Sequence, residues 1–444
     1  MLFSFMKTFI LDIKKMGING EGIGYLFKKP VFVQQALLFE KVKIHNIVEY
    51  PTYFKAETLK VITPSKHRVK PICPIAEQCG ACSLMHADLS LQQQIKIDHI
   101  KQSLFKYAKI KNQQIFYHKN PKPINYRNQC KFILGIDNNK ISSGMFERDT
   151  NQWLAIDHCV IHHPIVEKTR LQVVKLLNKH KVNIAFKASE EGYRYLIVRA
   201  LDNKAQVTLI STVEVNNQSL IDDIANLEHV DSVYVGVNNK KTRDFFSEQT
   251  KHVAKNQYLN VTINDIKLQV SPQSFMQLNS EVASNMMNFV VSKIKPTDQL
   301  VEAYCGVGMI SLLTSKKAKS VYGFDISKEA IANAKNHAKI NHCHNITFDA
   351  CDADVGIKRA NKMFQQYTLI VDPPRSGLTD QFIETVLKAN INQIVYVSCN
   401  PSTLAKNLRL LQKKFTIQSM DAFDMFSQTQ HVETVVLMTR SDKY

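Results

Sequence analysis

The chain has 444 residues, too many for one ordinary hydrophobic core, so two to four domains are expected. A hydrophobic content of 44% marks it as globular. The 57 Lys and Arg residues outnumber the 39 Asp and Glu residues, and the resulting charge of +18 with a pI near 9.3 favours an acidic polymer as partner, although excess lysine can also simply solubilise a surface.

The cysteine content and the hydropathy restrict the compartment. Nine cysteines, an odd number scattered through a long chain, argue against a disulfide framework and indicate a reducing interior, hence a cytoplasmic protein. The sequence contains no uninterrupted apolar run long enough to span a bilayer, so we expect no membrane association.

The first 65 residues predict a small antiparallel barrel that begins with a strand in "MLFSFMKTFILDIKKM". Short β-branched runs alternate there with Gly, Pro and charged turns, as in "GINGEGIGYLFKKPVFV" and "KVKIHNIVEY". The glycines at 17, 20, 22 and 24 are a weak signal for a phosphate loop, because no buried strand and helix flank them. Tight barrel turns explain them better.

Residues 66–260 predict a mixed α and β domain. The stretch "SLQQQIKIDHIKQSLFKYA" has helical periodicity, whereas "QCKFILGI", "YLIVRAL", "AQVTLIST" and "SVYVGV" are typical of strands.

The C-terminal region, taken as 261–444, predicts an α/β fold with a doubly wound parallel sheet. From about residue 280, strand patterns such as "QLVEAYCG", "SVYGFDIS", "YTLIVDPP" and "QIVYVSCNP" alternate with helical ones. Ligands of such sheets lie at the carboxyl ends of the strands, so the residues that follow each strand are the candidate site.

A nucleotide-type ligand is indicated by the first of these strand ends. Gly306 and Gly308 lie in the turn between a strand and a helix, and Asp325 ends the next strand about twenty residues later. Glycines allow a ligand to approach the backbone, and the acid can bind ribose hydroxyls. Dinucleotide enzymes share this layout, but the absence of a complete GxGxxG motif favours S-adenosylmethionine.

Three further residues at predicted strand ends carry chemistry. Asp372 is followed by two prolines that force an extended turn, although an acid there can also be a helix cap. Cys399 precedes Asn400, a good N-cap, and Pro401, so its thiol lies at a helix N-terminus whose dipole favours the thiolate by only about 0.3–1 kcal/mol. Glu433 interrupts an apolar final strand, which predicts either a cleft or a solvent-facing edge.

Taken together, five ordered motifs resemble those of the RNA uracil-5-methyltransferase family: "SPQSFMQLNS", "YCGVG", "DPPRSGL", "VSCNPSTLAKNL" and "DMFSQTQHVE". The front half is similar to the iron–sulfur branch of that family, through "SKHRVKPICP", "CPIAEQCGACSLMH", "NYRNQCKFILG" and "DHCVIHHP". The resemblance covers nearly the whole chain. It implies an OB-like TRAM barrel over 1–65, an iron–sulfur domain over 66–260 and a Rossmann-like methyltransferase domain over 261–444.

The resemblance also implies roles for single residues. Cys399 matches the nucleophile that adds to carbon 6 of a target uracil, and Glu433 matches the base that removes the proton from carbon 5. Phe275, Gln277 and Asp372 match positions that line the target-base pocket. Positions that bind S-adenosylmethionine in the family are matched by Gln277, Tyr304, Gly306, Asp325, Asp352 and Asp372.

The spacing of Cys73, Cys79, Cys82 and the distant Cys159 indicates a metal site. Spacing alone divides the prediction about evenly between zinc and an iron–sulfur cluster. The resemblance favours a 4Fe-4S cluster held by these four thiolates.

These observations predict an S-adenosylmethionine-dependent enzyme, expected to be a monomer, that forms 5-methyluridine in 23S rRNA. A tRNA uracil-5-methyltransferase of the same chemistry is the nearest alternative. A non-catalytic RNA-binding factor in ribosome assembly and a radical or redox iron–sulfur enzyme are more distant ones, disfavoured by the presence of Cys399 with Glu433 and by the absence of a radical-enzyme cysteine triplet.

Overall fold

A computed structural model of the chain describes residues 8–148, 150, 152–240, 244–246 and 250–441. The start of the predicted first strand, residues 1–7, lies outside this range. Among the described helices, none has the length and apolar character needed to cross a membrane.

The N-terminal sheet has six strands in the order β1-β5-β6-β4-β3-β2. Its strands are β1 (Phe9–Asp12), β2 (Lys15–Met16), β3 (Gly22–Leu26), β4 (Lys29–Gln34), β5 (Lys41–Glu49) and β6 (Phe54–Thr63). The edge strands β1 and β2 are separated by two residues only, so the sheet curls back on itself around a buried apolar cluster that includes Val31, Val42 and Ile44. Neighbouring strands are antiparallel except β4 and β6, which are parallel because the β5–β6 hairpin folds back beside β4. The expectation of a wholly antiparallel arrangement is therefore wrong at this one pair.

The middle of the chain forms a seven-stranded sheet in the order β10-β9-β8-β11-β12-β13-β14. Its strands are β8 (Gln129–Asp137), β9 (Lys140–Phe146), β10 (Trp153–Ala155), β11 (Tyr193–Leu201), β12 (Lys204–Ser211), β13 (Val230–Val237) and β14 (Lys251–Lys255). A hairpin of β15 (Leu259–Ile263) and β16 (Ile266–Val270) follows it.

The C-terminal sheet has eight strands in the order β19-β18-β17-β20-β21-β23-β22-β7. Its strands are β7 (Phe116–His118), β17 (Thr297–Ala303), β18 (Ala318–Asp325), β19 (Ile346–Ala350), β20 (Tyr367–Val371), β21 (Ile391–Ser398), β22 (Phe415–Phe423) and β23 (Glu433–Arg440). The five strands from β19 to β21 are parallel, and β23 is antiparallel to both of its neighbours. The predicted α/β fold with a doubly wound parallel sheet is confirmed.

Helices accompany the sheets in the described part of the chain, and α2 lies in the stretch that the helical periodicity predicts. They are α1 (Ala76–Cys79), α2 (Leu89–Ser103), α3 (Pro164–Lys179), α4 (Gln218–Ala225), α5 (Ser280–Lys293), α6 (Met309–Thr314), α7 (Lys328–Ile340), α8 (Ala353–Met363), α9 (Asp380–Lys388) and α10 (Pro401–Leu411), with a π-turn at Leu104–Ala108 and a 3₁₀ turn at Ser315–Lys317.

One segment of the middle region lies against the C-terminal sheet. Ile100 and Leu104, at the end of α2 and in the π-turn, are buried in the same apolar cluster as Leu404 and Leu408 of α10. The strand β7, formed by the same segment, pairs in parallel with β22 at the edge of the sheet. The middle and C-terminal regions are therefore joined by a shared core as well as by the chain.

Candidate active site

The predicted functional residues that follow the parallel strands meet at the carboxyl edge of the sheet. In the sheet register Ala303 pairs with Phe324 on one side and with Val371 on the other. Because the strands are parallel and in register, the residues that follow them emerge at one edge. Tyr304, Asp325 and Asp372 are consequently neighbours.

The turn after β17 is shaped by its glycines. Gly308 has a φ of 80°, and a Cβ there would come within 2.7 Å of the Phe348 ring, so only glycine fits. A Cβ on Gly306 would meet nothing within 4 Å, which leaves open space for a ligand beside the backbone. The Gly306 amide donates to Asp325 Oδ2 at 3.0 Å, and the Ser327 amide donates to Oδ1 of the same carboxylate at 2.9 Å. Asp325 is thus fixed at the mouth of the turn.

A cavity of about 620 Å³, here called the large cavity, opens at this edge. Seven residues predicted to bind the cofactor or the target base line it: Phe275, Gln277, Tyr304, Gly306, Asp325, Asp352 and Asp372. Asp352 also caps α8, accepting from the Asp354 amide at 2.8 Å. The cavity combines carboxylates with apolar lining such as Ile326, whose side chain is 75% exposed.

Phe275 and Gln277 lie on the loop after β16, which other residues hold in place. Arg199 donates to the carbonyls of Ser271 and Ser274, each at 2.7 Å, and Asn128 donates to the Gln277 carbonyl at 3.0 Å. The Phe275 ring is 72% exposed above this fixed loop. An exposed aromatic ring on a rigid support is suited to stacking on a base.

Three buried or half-buried acids at this edge have raised pKa values. Burial raises the pKa of Asp372 to about 7 and that of Glu302 to about 8. Burial, and then the charge of Asp372, raises the pKa of Glu433 to about 8, while Arg375 acts in the opposite direction. Raised pKa values in a cleft are typical of catalytic acids and bases. Glu433 is 5% exposed, so the alternative of a solvent-facing edge position does not hold.

Cys399 and Glu433 lie at the same end of the ladder between β21 and β23. The last registered pair joins Ser398 to Thr434 in an antiparallel ladder, and Cys399 follows Ser398 whereas Glu433 precedes Thr434. The charges of Glu433 and Asp372 both act on the Cys399 thiol, so the three groups are neighbours. Neither Cys399 nor Glu433 is among the residues that line the large cavity.

The helix start predicted beside Cys399 is confirmed. Asn400 is the N-cap of α10 and accepts from the Ser402 amide at 3.1 Å, with Pro401 at the first helical position. Burial, followed by the nearby Glu433 charge, nevertheless raises the pKa of the Cys399 thiol, and Arg375 partly opposes this. Burial and the acids together outweigh the helix dipole, so the pKa of the thiol lies above its usual value.

Arg375 is a candidate functional residue to which the sequence reasoning assigned no role. Asn400 Nδ2 and Thr403 Oγ1 both donate to its carbonyl, at 3.0 and 3.1 Å, and so attach its loop to the start of α10. It is the cation that favours the charged forms of both Cys399 and Glu433. Its position three residues after Asp372, inside "DPPRSGL", was the available signal.

The four cysteines predicted to bind metal line a second, small cavity, here called the cysteine cavity. Cys73, Cys79, Cys82 and Cys159 are free thiols around a volume of about 40 Å³. Burial first, and then the neighbouring cysteines, raise the pKa of Cys82 to about 12. In the part of the chain that the structure describes, no group of three or more His, Cys, Asp or Glu side chains is already arranged to bind an ion.

Residues 80–88, the loop between α1 and α2 that carries Cys82 and is here called the cysteine loop, contact the segment that leads to Glu433. The Leu84 amide donates to the Gln428 carbonyl at 2.9 Å, and the Gln430 amide donates to Ser83 Oγ at 3.3 Å. Gln92 of α2 bonds with both the backbone amide and the side chain of Gln428, at 2.9 and 3.0 Å. These contacts connect the region around Cys82 with the strand that carries Glu433.

The strand order, the glycine turn and the large cavity define an α/β methyltransferase fold. The solved structure of Pyrococcus abyssi tRNA (uracil-54, C5)-methyltransferase, in complex with S-adenosyl-L-homocysteine, has this fold. It matches 97% of this chain and 100% of its own, with a TM-score of 0.78 and 23% sequence identity.

Sequence comparison gives the family. The family model described as tRNA (Uracil-5-)-methyltransferase matches residues 88–441. An uncharacterised RNA methyltransferase of Bacillus anthracis is 33% identical over 447 residues, which cover 98% of this chain and 97% of the relative. One from Listeria monocytogenes is 34% identical over 450 residues, 98% of each chain. The chain belongs to the tRNA (uracil-5-)-methyltransferase family, and the predicted family is confirmed at this level.

Proposed function

We propose that the protein is an S-adenosylmethionine-dependent RNA uracil-5-methyltransferase with Cys399 as nucleophile and Glu433 as base. The observation that carries the proposal is the proximity of Cys399, Glu433 and Asp372 at the carboxyl edge of the sheet, where the charges of both acids act on the thiol. A thiol paired with a buried carboxyl group suits covalent addition followed by proton abstraction.

In the proposed reaction the Cys399 thiol releases its proton to solvent and Sγ bonds to carbon 6 of the uracil, while the electrons of the carbon 5–carbon 6 double bond move towards the carbon 4 carbonyl as an enolate, which makes carbon 5 nucleophilic. Carbon 5 then takes up the methyl group that S-adenosylmethionine supplies, and S-adenosylhomocysteine is left. The Glu433 carboxylate then accepts the carbon 5 proton, the double bond re-forms, and the Cys399 thiolate leaves. Phe275 is expected to stack on the flipped uracil, with Gln277 and Asp372 bonding its polar edge.

The large cavity fits S-adenosylmethionine by its chemistry. The open space beside Gly306 admits a ligand to the backbone, and the fixed carboxylate of Asp325 suits ribose hydroxyls. Ile326 offers an apolar face to an adenine ring. Gln277, Tyr304, Asp352 and Asp372 complete the proposed binding set on the same walls.

We further propose that Cys73, Cys79, Cys82 and Cys159 hold a 4Fe-4S cluster. The support for this proposal is that all four cysteines line the cysteine cavity and that the charges of the other three raise the pKa of Cys82, since thiolates are the ligands of such clusters. Arg127 also lines the cavity and favours the charged form of Cys82. Given the contacts from Ser83 and Leu84 to the Gln428–Gln430 segment, we assign the cluster a structural role.

Protein purified without oxygen is expected to be brown and to contain about four irons per chain, because a four-cysteine site binds one four-iron cluster. Metal analysis beside the visible spectrum checks this. The Cys79→Ser variant should lose the iron, whereas Cys343→Ser, outside the cysteine cavity, should keep it. One zinc per chain with no iron would refute the cluster and support a zinc site.

The proposed substrate is 23S rRNA. Two features support this substrate. The first is the N-terminal sheet, which we predict to be a TRAM domain over 1–65, and the second is the set of four cysteines in the region 66–260. Both precede the methyltransferase region over 261–444. An added basic module extends the surface available to a folded segment of a large RNA. The net charge of +18 suits binding to RNA phosphates. The proposed enzyme acts in the cytoplasm as a monomer.

The second candidate substrate is tRNA. It is favoured by the description of the matching family and by the activity named for the Pyrococcus abyssi neighbour. The two candidates share the same active-site chemistry, so they differ only in what the surface outside the large cavity recognises.

Incubation of the enzyme and S-adenosylmethionine with protein-free 23S rRNA is expected to give 5-methyluridine at defined positions, detected by nuclease digestion and mass spectrometry. Transfer-RNA transcripts serve as the parallel substrate under the same conditions. If a tRNA uridine is methylated and 23S rRNA is not, the proposed substrate is wrong and tRNA is the substrate. Methylation of neither, by protein that is folded and retains its cofactors, would refute the proposed function.

A further inference from the structure

A third cavity lies where the N-terminal sheet, the cysteine loop and the segment before Glu433 meet. It has a volume of about 350 Å³ and is here called the junction cavity. Its walls come from the turn at Asn19–Glu21, from β4 and β6, from residues 80–83, and from Gln430 with His431. The proposed cofactor and target base both belong to the large cavity, so neither accounts for this one.

Aromatic and cationic groups occupy the sheet side of the junction cavity. Phe32 and Lys55 are paired across β4 and β6, and both line it. The Phe32 ring meets Tyr53 edge-to-face at 5.4 Å, Tyr53 stacks on Tyr50 at 4.5 Å, and Lys55 lies over Tyr50 at 5.8 Å. Rings beside a lysine form the usual platform for a base and its phosphate.

The opposite wall supplies a second cation and polar groups without charge. The side chain of Arg148 packs directly against Gly80, because a Cβ on Gly80 would lie only 2.5 Å from Arg148 Nε. That Nε is buried and has no hydrogen-bond partner within the described residues. Burial, followed by nearby Arg375 and Lys96, lowers the pKa of His431 to about 4, so this ring is neutral at pH 7 and can both donate and accept a hydrogen bond.

The charge balance of the junction cavity suits an anion that carries a polar ring. Glu21 is the one carboxylate among its described lining residues, and both of its oxygens already accept from Asn19, at 3.1 and 3.0 Å. Lys55 and Arg148 are the two cations among the described lining residues. Arginine and lysine bind phosphate, while amides and a neutral histidine bond the edges of bases.

The position of the junction cavity fixes which part of an RNA would enter it. His431 precedes Glu433 by two residues, so their Cα atoms are at most about 7 Å apart. A strand whose target uridine lies at Glu433 would have its next nucleotides within reach of His431.

We propose that the junction cavity binds a nucleotide of the RNA adjacent to the target uridine, with Phe32 stacking on the base, Gln430 and His431 bonding its edge, and Lys55 and Arg148 binding phosphate. This proposal rests on the proposed function. It implies that the N-terminal sheet, the cysteine loop and the segment before Glu433 together recognise the sequence next to the target uridine. The cysteine loop forms one wall, so its correct folding is needed for the subsite.

The test uses the full-length protein and a fluorescently labelled 12-nucleotide oligouridylate, whose binding does not require methyl transfer. Lys55→Ala should weaken binding about five-fold or more at 0.1 M salt and reduce the slope of log affinity against log salt by about 0.7, the value for one phosphate contact to a single strand. The matched control is Lys60→Ala, on the same strand but outside the junction cavity. Equal effects of the two variants would overturn the proposal.

A second measurement does not depend on any variant. The same oligonucleotide carrying 4-thiouridine should, on irradiation, form crosslinks to the peptides that contain Phe32 or His431. Crosslinks confined to peptides outside the junction cavity would overturn the subsite. Failure of this subsite is distinguishable from failure of the proposed function, because the rRNA and tRNA assays report methyl transfer independently of oligouridylate binding.

Discussion

Replacing Cys399 with alanine is expected to lower methyl transfer by at least about a thousand-fold, because without the thiol carbon 5 of uracil is not made nucleophilic. RNA binding should remain within about two-fold of wild type, since contacts to phosphate do not involve this half-buried side chain. Transfer of radiolabelled methyl groups to RNA, with filter binding of the same RNA, measures both quantities.

The control for this substitution is Cys343→Ala, which removes another half-buried thiol of the C-terminal region that lies outside the large cavity. That variant should methylate RNA at close to the wild-type rate. Full activity of Cys399→Ala would exclude the covalent mechanism. Joint loss of RNA binding and thermal stability in Cys399→Ala would show that the side chain is structural instead.

The parts of the site that could be predicted from the sequence are those that depend on residues close together in the chain. Strand ends followed by Gly306, Asp325 or Asp372 can be recognised because apolar runs and turn residues are adjacent in the chain. The cap at Asn400 with Pro401 is likewise a contact between near neighbours. Once these strands form a parallel sheet, the convergence of their ends follows from topology alone.

The parts that the sequence did not predict depend on contacts between distant residues. The pairing of β7 with β22 joins residues about 300 positions apart, and the bonds from Gln92 to Gln428 span 336 positions. No local periodicity encodes such pairs, because each partner has an ordinary polar or strand-forming pattern of its own. Parallel pairing of β4 with β6 was missed for the same reason, since the direction of a strand depends on the path of the connections around it.

The raised pKa values also required the structure. From sequence alone Cys399 has only a helix dipole to lower its pKa, and this is too weak to deprotonate most of the thiol at neutral pH. The fold adds burial and two neighbouring carboxyl groups, which raise the pKa further. In the proposed reaction, activation of the thiol would therefore need Arg375, whose charge lowers the pKa of Cys399, and loss of the thiol proton when the uracil is bound.

The second large effect is expected for the Glu433→Gln variant. In this variant Cys399 should still add to uracil and carbon 5 should still be methylated, but the proton on carbon 5 should not be removed. Glutamine has nearly the shape of glutamate and cannot act as a base. The covalent complex of protein and methylated RNA should accumulate, visible as a slowly migrating band on a denaturing gel, while multiple turnover falls by about a hundred-fold or more. The matched control, Asp421→Asn on the adjacent strand β22, should not accumulate it.

The rate at which the methylated adduct breaks down should rise with pH. Burial and Asp372 raise the pKa of Glu433 to about 8, so below pH 8 most molecules carry the protonated acid, which cannot accept a proton. Breakdown of the methylated adduct by the wild-type enzyme should therefore accelerate about ten-fold per pH unit from 6 towards 8 and level off above it. Quenched samples of pre-formed adduct transferred to each pH measure this rate directly. In Glu433→Gln the rise should be absent; a variant that releases its RNA at the wild-type rate with the same pH profile would remove Glu433 from the role of base.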